Sequence, residues 1–362
     1  MLLSLSAAQV GPDATDLLRR AVGESCTRKS APIPRWDERL AAAALAAARR
    51  PSGLWPPAEL QAHVEALGVG DPAPSGFLVE GPSAEVVARV VADKLPALLE
   101  PATHYGAALA PLETGVRAVI IRSRRRAVVS GLVTAIEPGH TVKLQGQLAA
   151  DLRAPALYVE QPDGRVVTLP LQSAGTGFQA ELMLRSPGSY RIELMARGAR
   201  GPEVAWLSTV QVGRPSALVT SAAATPVRPG DPVAEALQVF DAINRDRLGI
   251  GVPTLAFDAK LAAVARAYSR ELGELHLLAH VSPRSGDLPS RLRQAHYAYS
   301  RAGENLAEGV DSLQAHALAA QSPAHRRNML DPTFDRCGVG VTEVHTPGRP
   351  TMVIVTELFA GG

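Results

Sequence analysis

Two distant stretches of the chain carry one pattern, and that repeat restricts the available folds more than any other feature. Trp36-Asp37-Glu38-Arg39-Leu40-Ala41-Ala42-Ala43-Ala44 matches Phe257-Asp258-Ala259-Lys260-Leu261-Ala262-Ala263-Val264-Ala265: an aromatic residue, an aspartate, then a helical run. Each aspartate is suited to cap its helix, because a carboxylate accepts backbone N–H bonds that otherwise lack partners. Farther along, Tyr105-Gly106-Ala107-Ala108-Leu109, a turn and Ala118-Val119-Ile120-Ile121 mirror Cys337-Gly338-Val339-Gly340-Val341, a turn around Pro347-Gly348 and Met352-Val353-Ile354-Val355. Shared order and similar spacing predict two copies of one helix-then-hairpin unit, with chance similarity in alanine-rich sequence as the competing explanation.

Between the copies, residues 127–213 read differently. Thr141-Val142-Lys143-Leu144-Gln145-Gly146, Ala156-Leu157-Tyr158-Val159-Glu160, Arg165-Val166-Val167-Thr168-Leu169 and Tyr190-Arg191-Ile192-Glu193-Leu194 are short β-rich runs, separated by turns such as Pro162-Asp163-Gly164 and Ser186-Pro187-Gly188. Such spacing predicts an immunoglobulin-like β-sandwich, a fold that usually binds or spaces. Residues 214–232, rich in proline, alanine and small polar residues, read as a linker. A chain of 362 residues has room for two or three domains. With 46% hydrophobic but only 4% aromatic residues, its cores must be built from Ala, Leu and Val.

Charge excludes some functions. A net charge of +2 gives no global field for nucleic acid. The basic cluster Arg122-Ser123-Arg124-Arg125-Arg126 follows the apolar run Val119-Ile120-Ile121 and reads as a solvated strand end at a domain junction. No apolar run reaches the roughly 18 residues that a membrane-spanning helix needs. Residues 1–12 open with Met1-Leu2-Leu3-Ser4-Leu5-Ser6-Ala7-Ala8-Gln9 and read as the remnant of a secretory signal, although a positive n-region is missing. The two cysteines, Cys26 and Cys337, match no metal motif; burial as small apolar side chains is favoured over pairing.

The copies differ where chemistry would sit. Only the second contains His280-Val281-Ser282-Pro283, Gly303-Glu304-Asn305-Leu306-Ala307 and Ser322-Pro323-Ala324-His325-Arg326-Arg327-Asn328-Met329-Leu330; the first, whose His63 and His104 fall elsewhere in the pattern, reads as scaffold. Helices are predicted over Val233–Leu248 and Leu261–Leu275, placing His280 at a helix end before the extended Ser282-Pro283 step. Gly303 is expected to hold Glu304 on a fixed turn. Ser322 caps a helix with Pro323 at its first position, so His325 lies in the first turn, where the dipole favours the neutral imidazole. Each residue also has an ordinary structural role open to it, and His276, His296, His316 and His345 read as surface or hydrogen-bonded histidines.

Together with Asn244-Arg245-Asp246-Arg247-Leu248-Gly249 and Gly338-Val339-Gly340-Val341, these motifs resemble the CAP superfamily, the SCP/PR1-like family of cysteine-rich secretory, antigen 5 and pathogenesis-related 1 proteins, over roughly Asp231 to Phe359. The resemblance implies an α+β multidomain chain: a degenerate CAP-like domain at 13–126, the sandwich, and a CAP domain of α-β-α layers at 233–362. It implies a cleft lined by His280, Glu304 and His325, flanked by Asn305 and Ser282, with His280 and His325 as ligands for zinc or another divalent metal. It further implies a secreted, periplasmic or envelope location. Ala324 stands where a glycine is common, Ala319 where an aromatic residue often precedes the Ser-Pro step, and no counterpart is found for the second glutamate of eukaryotic members. Three functions fit: an envelope protein binding a metal or a small, lipidic or envelope ligand; a hydrolase of peptide or cell-wall material with Glu304 as catalytic base; or a purely structural or adhesion protein. No protein partner is identified.

Overall fold

The computed structural model describes residues 13–28, 30–99, 102–132, 135–213, 231–345 and 351–362. The expected signal remnant at 1–12, most of the linker at 214–232 and the turn around Pro347-Gly348 lie outside the described residues. The described residues form two compact units: those within 1–129 together with 205–208, and those within 130–204 together with 209–362.

The first unit contains α1 (Asp13–Arg28), β1 (Arg35–Trp36), α2 (Glu38–Arg49), α3 (Pro57–Ala66), β2 (Ser75–Gly81), α4 (Ala84–Leu99), β3 (His104–Pro111) and β4 (Val116–Ser123). Its sheet runs β1-β3-β4-β2, with β1 parallel to β3 and the other pairs antiparallel. Asp37 caps α2, accepting from the Arg39 backbone N at 2.9 Å. The arginine cluster is not a solvated strand end. Arg125 pairs with Asp37 at 2.7 Å and Asp71 at 2.9 Å, Ser123 donates to Asp71 at 2.6 Å, and Arg122 donates to Ser75 at 2.8 Å. Two buried aspartates need compensating charge, and Arg125 supplies it. Burial alone would raise the Asp37 pKa, but Arg39 and Arg125 hold it below the usual carboxylate range.

The second unit opens with β-structure. After β5 (Ala127–Ser130) come β6 (Ala135–Ile136), β7 (Thr141–Leu148), β8 (Arg153–Glu160), β9 (Val166–Leu169), β10 (Gln172–Ala174), β11 (Gly177–Met183), β12 (Gly188–Gly198) and β13 (Gly201–Val212). β11 pairs antiparallel with β10 and β7, and a second sheet runs β6-β13-β12-β8-β9. In β11 the buried residues Phe178, Ala180 and Leu182 alternate with more exposed ones, the period-2 pattern of a half-buried strand.

Past the undescribed stretch follow α5 (Pro232–Gly249), β14 (Ala256–Phe257), α6 (Ala259–Leu275), α7 (Leu288–Gln294), β15 (Arg301–Gly309), α8 (Ser312–Ala320), α9 (Pro323–Leu330), β16 (Arg336–Val344) and β17 (Met352–Gly361). Asp231 and Pro232, expected at the end of a linker, instead cap and start α5. The sheet runs β14-β16-β17-β15. One face packs Val339, Val341, Val355 and Phe359 against Val239 and Ile243 of α5 and Met329 of α9. Its other face packs Leu358 and Ala360 against Leu261 and Ala265 of α6 and Leu292 of α7. Helices therefore cover both faces of the sheet, and β15 is its edge strand.

The two predicted copies share strand order and strand direction. In each, a two-residue strand runs parallel to the first hairpin strand, and the aspartate that caps the helix donates its backbone N to that strand: Asp37 to Tyr105 O and Asp258 to Cys337 O, both at 2.9 Å. The glycines correspond as well. A Cβ on Gly106 would lie 2.0 Å from Ala41 N, and one on Gly338 would lie 2.2 Å from Ala262 N. Backbone cannot yield as a side chain can, so Gly106→Ala and Gly338→Ala should each cost about 3 kcal/mol, the upper end for overpacking. By contrast, Gly23→Ala meets nothing within 4 Å inside α1 and should be neutral or stabilising. Urea denaturation of the three variants checks this, and equal stabilities would show that the close strand–helix approach is not needed.

Candidate functional site

Strand alternation decides how the site is built. Glu304 and Asn305 are consecutive in β15 and point to opposite faces of the sheet edge, opposite Leu358 and Glu357 of β17. Glu304 is therefore held on a strand, not on the expected turn. Gly303 precedes it for reasons of space: a Cβ there would lie 3.0 Å from the Phe334 ring.

On the α6 and α7 side, Glu304 is nearly buried and both its oxygens are engaged. His280 Nδ1 lies 2.8 Å from Oε1, and the Arg291 guanidinium of α7 pairs with Oε2. Arg291 also donates to the carbonyls of Gly286 at 2.7 Å and His280 at 3.4 Å, and stacks 3.4 Å from the centre of the Tyr268 ring. Tyr268 in turn donates its hydroxyl to Ala279 O at 2.5 Å. Burial, with the nearby Glu304 and Glu271, raises the Tyr268 pKa far above its ordinary value, so the hydroxyl stays a donor. These bonds fix the chain on both sides of His280. α6 ends at Leu275 as expected, with His276 in the left-handed region at φ 47° as its cap, and His280 sits on the loop that follows and not at a helix end.

On the opposite face, Asn305 is fully enclosed. It donates to Glu357 Oε2 at 2.9 Å and to the His325 carbonyl at 3.1 Å, and accepts from Asn328 at 3.0 Å. The other oxygen of Glu357 faces His316 Nδ1 at 2.7 Å. Burial alone would lower the His316 pKa; the Glu357 charge and hydrogen bond outweigh it and raise it. His316 thus belongs to the buried polar network and is no surface residue. Ser322 caps α9, accepting from His325 N at 3.3 Å as expected. Burial, then the charge of His280, pushes the His325 pKa down to about 4, and its Nδ1 is buried without a hydrogen-bond partner among the described residues. Burial and the His280 charge thus favour the neutral imidazole, the form expected from the helix position on separate grounds.

Ser282 turns its hydroxyl to Glu271 and accepts from Arg284 N at 3.1 Å, so it shapes the loop after His280. Among the described residues no three His, Cys, Asp or Glu side chains gather as a metal site needs. His280, Glu304 and His325 do not fit a three-ligand set as placed, because Arg291 competes for the carboxylate. Cys26 and Cys337 are free and buried, and burial raises both thiol pKa values. Arg291, Tyr268, Glu357, His316 and Asn328 were not singled out as site residues from sequence, although Asp287-Leu288-Pro289-Ser290 marks the start of α7 and so foreshadows a helix carrying Arg291.

The family model for the cysteine-rich secretory protein family, CAP, matches residues 240–356. Residues 240–356 are a CAP domain. In Bacillus subtilis strain 168, the uncharacterized membrane protein YlbC is 34% identical over 105 residues, covering 29% of this chain and 30% of that protein. The uncharacterized protein YkwD of the same strain is 32% identical over 107 residues, 29% of this chain and 42% of its own. The chain therefore spans less than half the length of either curated relative. An extracellular protein containing an SCP domain from Bacillus anthracis strain Ames, of solved structure, overlays with TM-score 0.33 at 20% identity, covering 65% of this chain and 84% of that one. Among the described residues no helix is long and apolar enough to cross a membrane.

The β-strands of the second unit reach this CAP domain close to both histidines. Arg200 O, in the β12–β13 turn, accepts from Val281 N at 3.0 Å, and a Cβ on Gly201 would lie 2.8 Å from His280 Cβ. Glu193 of β12 is fully buried and caps α9 from outside: its Oε2 accepts from Ala324 N at 2.7 Å and Ser322 Oγ at 3.0 Å. Its Oε1 has no partner among the described residues, and burial raises its pKa to about 7. Next to it, Arg326 pairs with Glu160 at 3.0 Å and Asp246 at 3.5 Å.

Proposed function

We propose that the CAP domain is an exported binding module whose cleft, at the β15 edge, holds a small polar or lipidic ligand through His280 and His325 without turning it over. The observation that carries this reading is the double engagement of the Glu304 carboxylate by His280 and Arg291. Both carboxylate oxygens are already taken by these two partners, so a hydrolase using Glu304 as general base lacks an open oxygen to receive a proton from water. A zinc site on His280 and His325 lacks its third ligand for the same reason. Ring nitrogens of both histidines remain for a ligand, Nε2 of His280 and the partnerless Nδ1 of His325 among them. A neutral imidazole nitrogen accepts or donates one hydrogen bond according to its tautomer.

Residues 13–126 are in this reading a degenerate CAP copy that serves as scaffold, supported by the shared strand order and the matching glycines. Residues 127–213 are an immunoglobulin-like spacer, supported by its two sheets of four and five strands. Secretion to the envelope rests on the apolar N-terminal run and on the secretory family to which the domain belongs.

The test is retention. Protein incubated with an envelope extract and repurified should carry a small molecule, seen by mass spectrometry, that the His280→Ala/His325→Ala variant loses, with no product accumulating in the extract. Equal retention by both proteins, or accumulation of a cleaved product that Glu304→Gln abolishes, would overturn the reading. Zinc added to the wild type should leave its melting temperature unchanged, because a ligand stabilises only the fold that binds it; a rise that needs both histidines would restore the metal.

A further inference from the structure

A second cavity, of about 500 Å³, opens on the other side of α9 and is lined by both the β-sheet region and the CAP domain of the second unit. Its volume lies in the range of small-molecule sites. Val167, Ile250 and Leu330 supply apolar wall, and Arg165, Arg301 and Arg327 supply three guanidinium groups. α9 carries both sites. His325 and Arg327 are two positions apart, and residues at that spacing on a helix do not face the same way.

The arginines here differ from those with structural work. Arg291 is locked to Glu304, Arg326 to Glu160 at 3.0 Å, and Arg247 donates to the carbonyls of Pro253 at 2.6 Å and Met329 at 2.7 Å. Around the cavity the ion pairs are loose: Arg165 to Asp163 at 3.8 Å and Arg301 to Asp331 at 3.9 Å, with Arg301 also donating to the uncharged Thr333 Oγ1 at 3.0 Å, while Arg327 acts on Asp331 through space. The one carboxylate in the lining, Asp331, already accepts from Thr333 N at 2.9 Å and Thr333 Oγ1 at 2.6 Å. Three guanidinium groups against two carboxylates, the loosely held Asp163 and the occupied Asp331, leave positive charge uncompensated beside an apolar wall. Guanidinium groups match carboxylate and phosphate oxygens in pairs, so the missing partner is an anion.

We propose that this cavity binds a small anionic amphiphile, with its carboxylate or phosphate head on Arg301, Arg327 and Arg165 and its apolar body against Ile250, Val167 and Leu330. The site is distinct from the His280–His325 cleft and stands or falls separately from it.

Saturation-transfer NMR on the full chain tests the assignment with octyl phosphate, octanoate, octyl glucoside and inorganic phosphate. At least one of the two octyl anions should bind no less than tenfold more tightly than both octyl glucoside and inorganic phosphate, and added salt should weaken it. Comparing octanoate with octyl phosphate separates a carboxylate head from a phosphate head. Arg301→Gln/Arg327→Gln changes exposed side chains, should leave the melting temperature in place, and should weaken the anion at least tenfold. The His280→Ala/His325→Ala variant should bind the octyl anion as the wild type does. Absence of binding, equal binding of octyl glucoside, equal binding of inorganic phosphate, or indifference to the double arginine change would each overturn the proposal.

Discussion

Replacing Arg291 with methionine should destabilise the second unit by about 3–5 kcal/mol, the usual loss when one partner of a buried ion pair is removed. Both side chains are 4% exposed, so the Glu304 carboxylate left behind has no water to replace the guanidinium. Further losses are built in: Gly286 O and His280 O lose a donor, and the Tyr268 ring loses the cation stacked on it. Combining Arg291→Met with Glu304→Gln removes the stranded charge and should recover much of the loss, because the cost lies in an unpaired ion more than in the absent bond. Urea denaturation of the two single variants and the double variant forms the cycle that isolates this coupling. If the double variant is no more stable than Arg291→Met, the ion pair is not what holds the site together, and Arg291 does not keep Glu304 from serving as a base.

The same pair shows what could be read from sequence and what could not. Helix starts were legible because their causes are local: Asp37, Asp258 and Ser322 each accept from a backbone N–H two or three residues ahead. The repeat was legible because it is a pattern, and Gly106 and Gly338 keep their places in it. Glu304 was placed on a turn because glycine before it permits one, whereas Gly303 answers to Phe334, far along the chain. The stop of α6 at Leu275 was legible, but His280 reads as a helix end because Leu277-Leu278-Ala279 looks like a direct lead-in, and nothing local announces the left-handed His276 that turns the chain into a loop. Arg291 and Glu357 escaped for a similar reason: their partners lie on other elements, and a lone arginine or glutamate carries no spacing signal. His316 looked ordinary until β17 brought Glu357 to it. Arg125 read as solvated because the sequence does not show Asp37 and Asp71 closing around it.

A further result is expected from Glu193→Gln, which should change the pH dependence of stability more than any other single substitution here. In the folded chain Glu193 has a pKa of about 7, against an ordinary 4.5, chiefly through burial. Between those values the unfolded chain releases a proton that the folded chain keeps, so this group makes stability fall as pH rises from 4.5 to 7. His325 does the reverse. Its folded pKa of about 4 lies below the ordinary 6.5, so the unfolded chain binds the extra proton and stability rises with pH across that window. Each gap is worth about 3 kcal/mol, taking about 1.36 kcal/mol per pH unit. Opposed in nearly the same window, the two largely cancel, and from these groups the wild type should show little slope between pH 4.5 and 6.5. Glutamine keeps an acceptor for Ala324 N and Ser322 Oγ and cannot ionise, so Glu193→Gln leaves the His325 slope exposed. Stability should then climb with pH through the window and exceed that of the wild type by about 3 kcal/mol above pH 7. His325→Gln should show the opposite slope, and the double variant should be nearly flat again. The groups facing Glu193 from its own and neighbouring elements, Arg191, Glu160 and the α9 start, are unchanged in all four proteins, as is His316, so their contributions drop out of the comparison. Chemical denaturation at steps across this range gives the four curves. Parallel curves for wild type and Glu193→Gln would mean that the carboxylate ionises freely at the α9 N-terminus, and that β12 does not seal the helix carrying His325 from water.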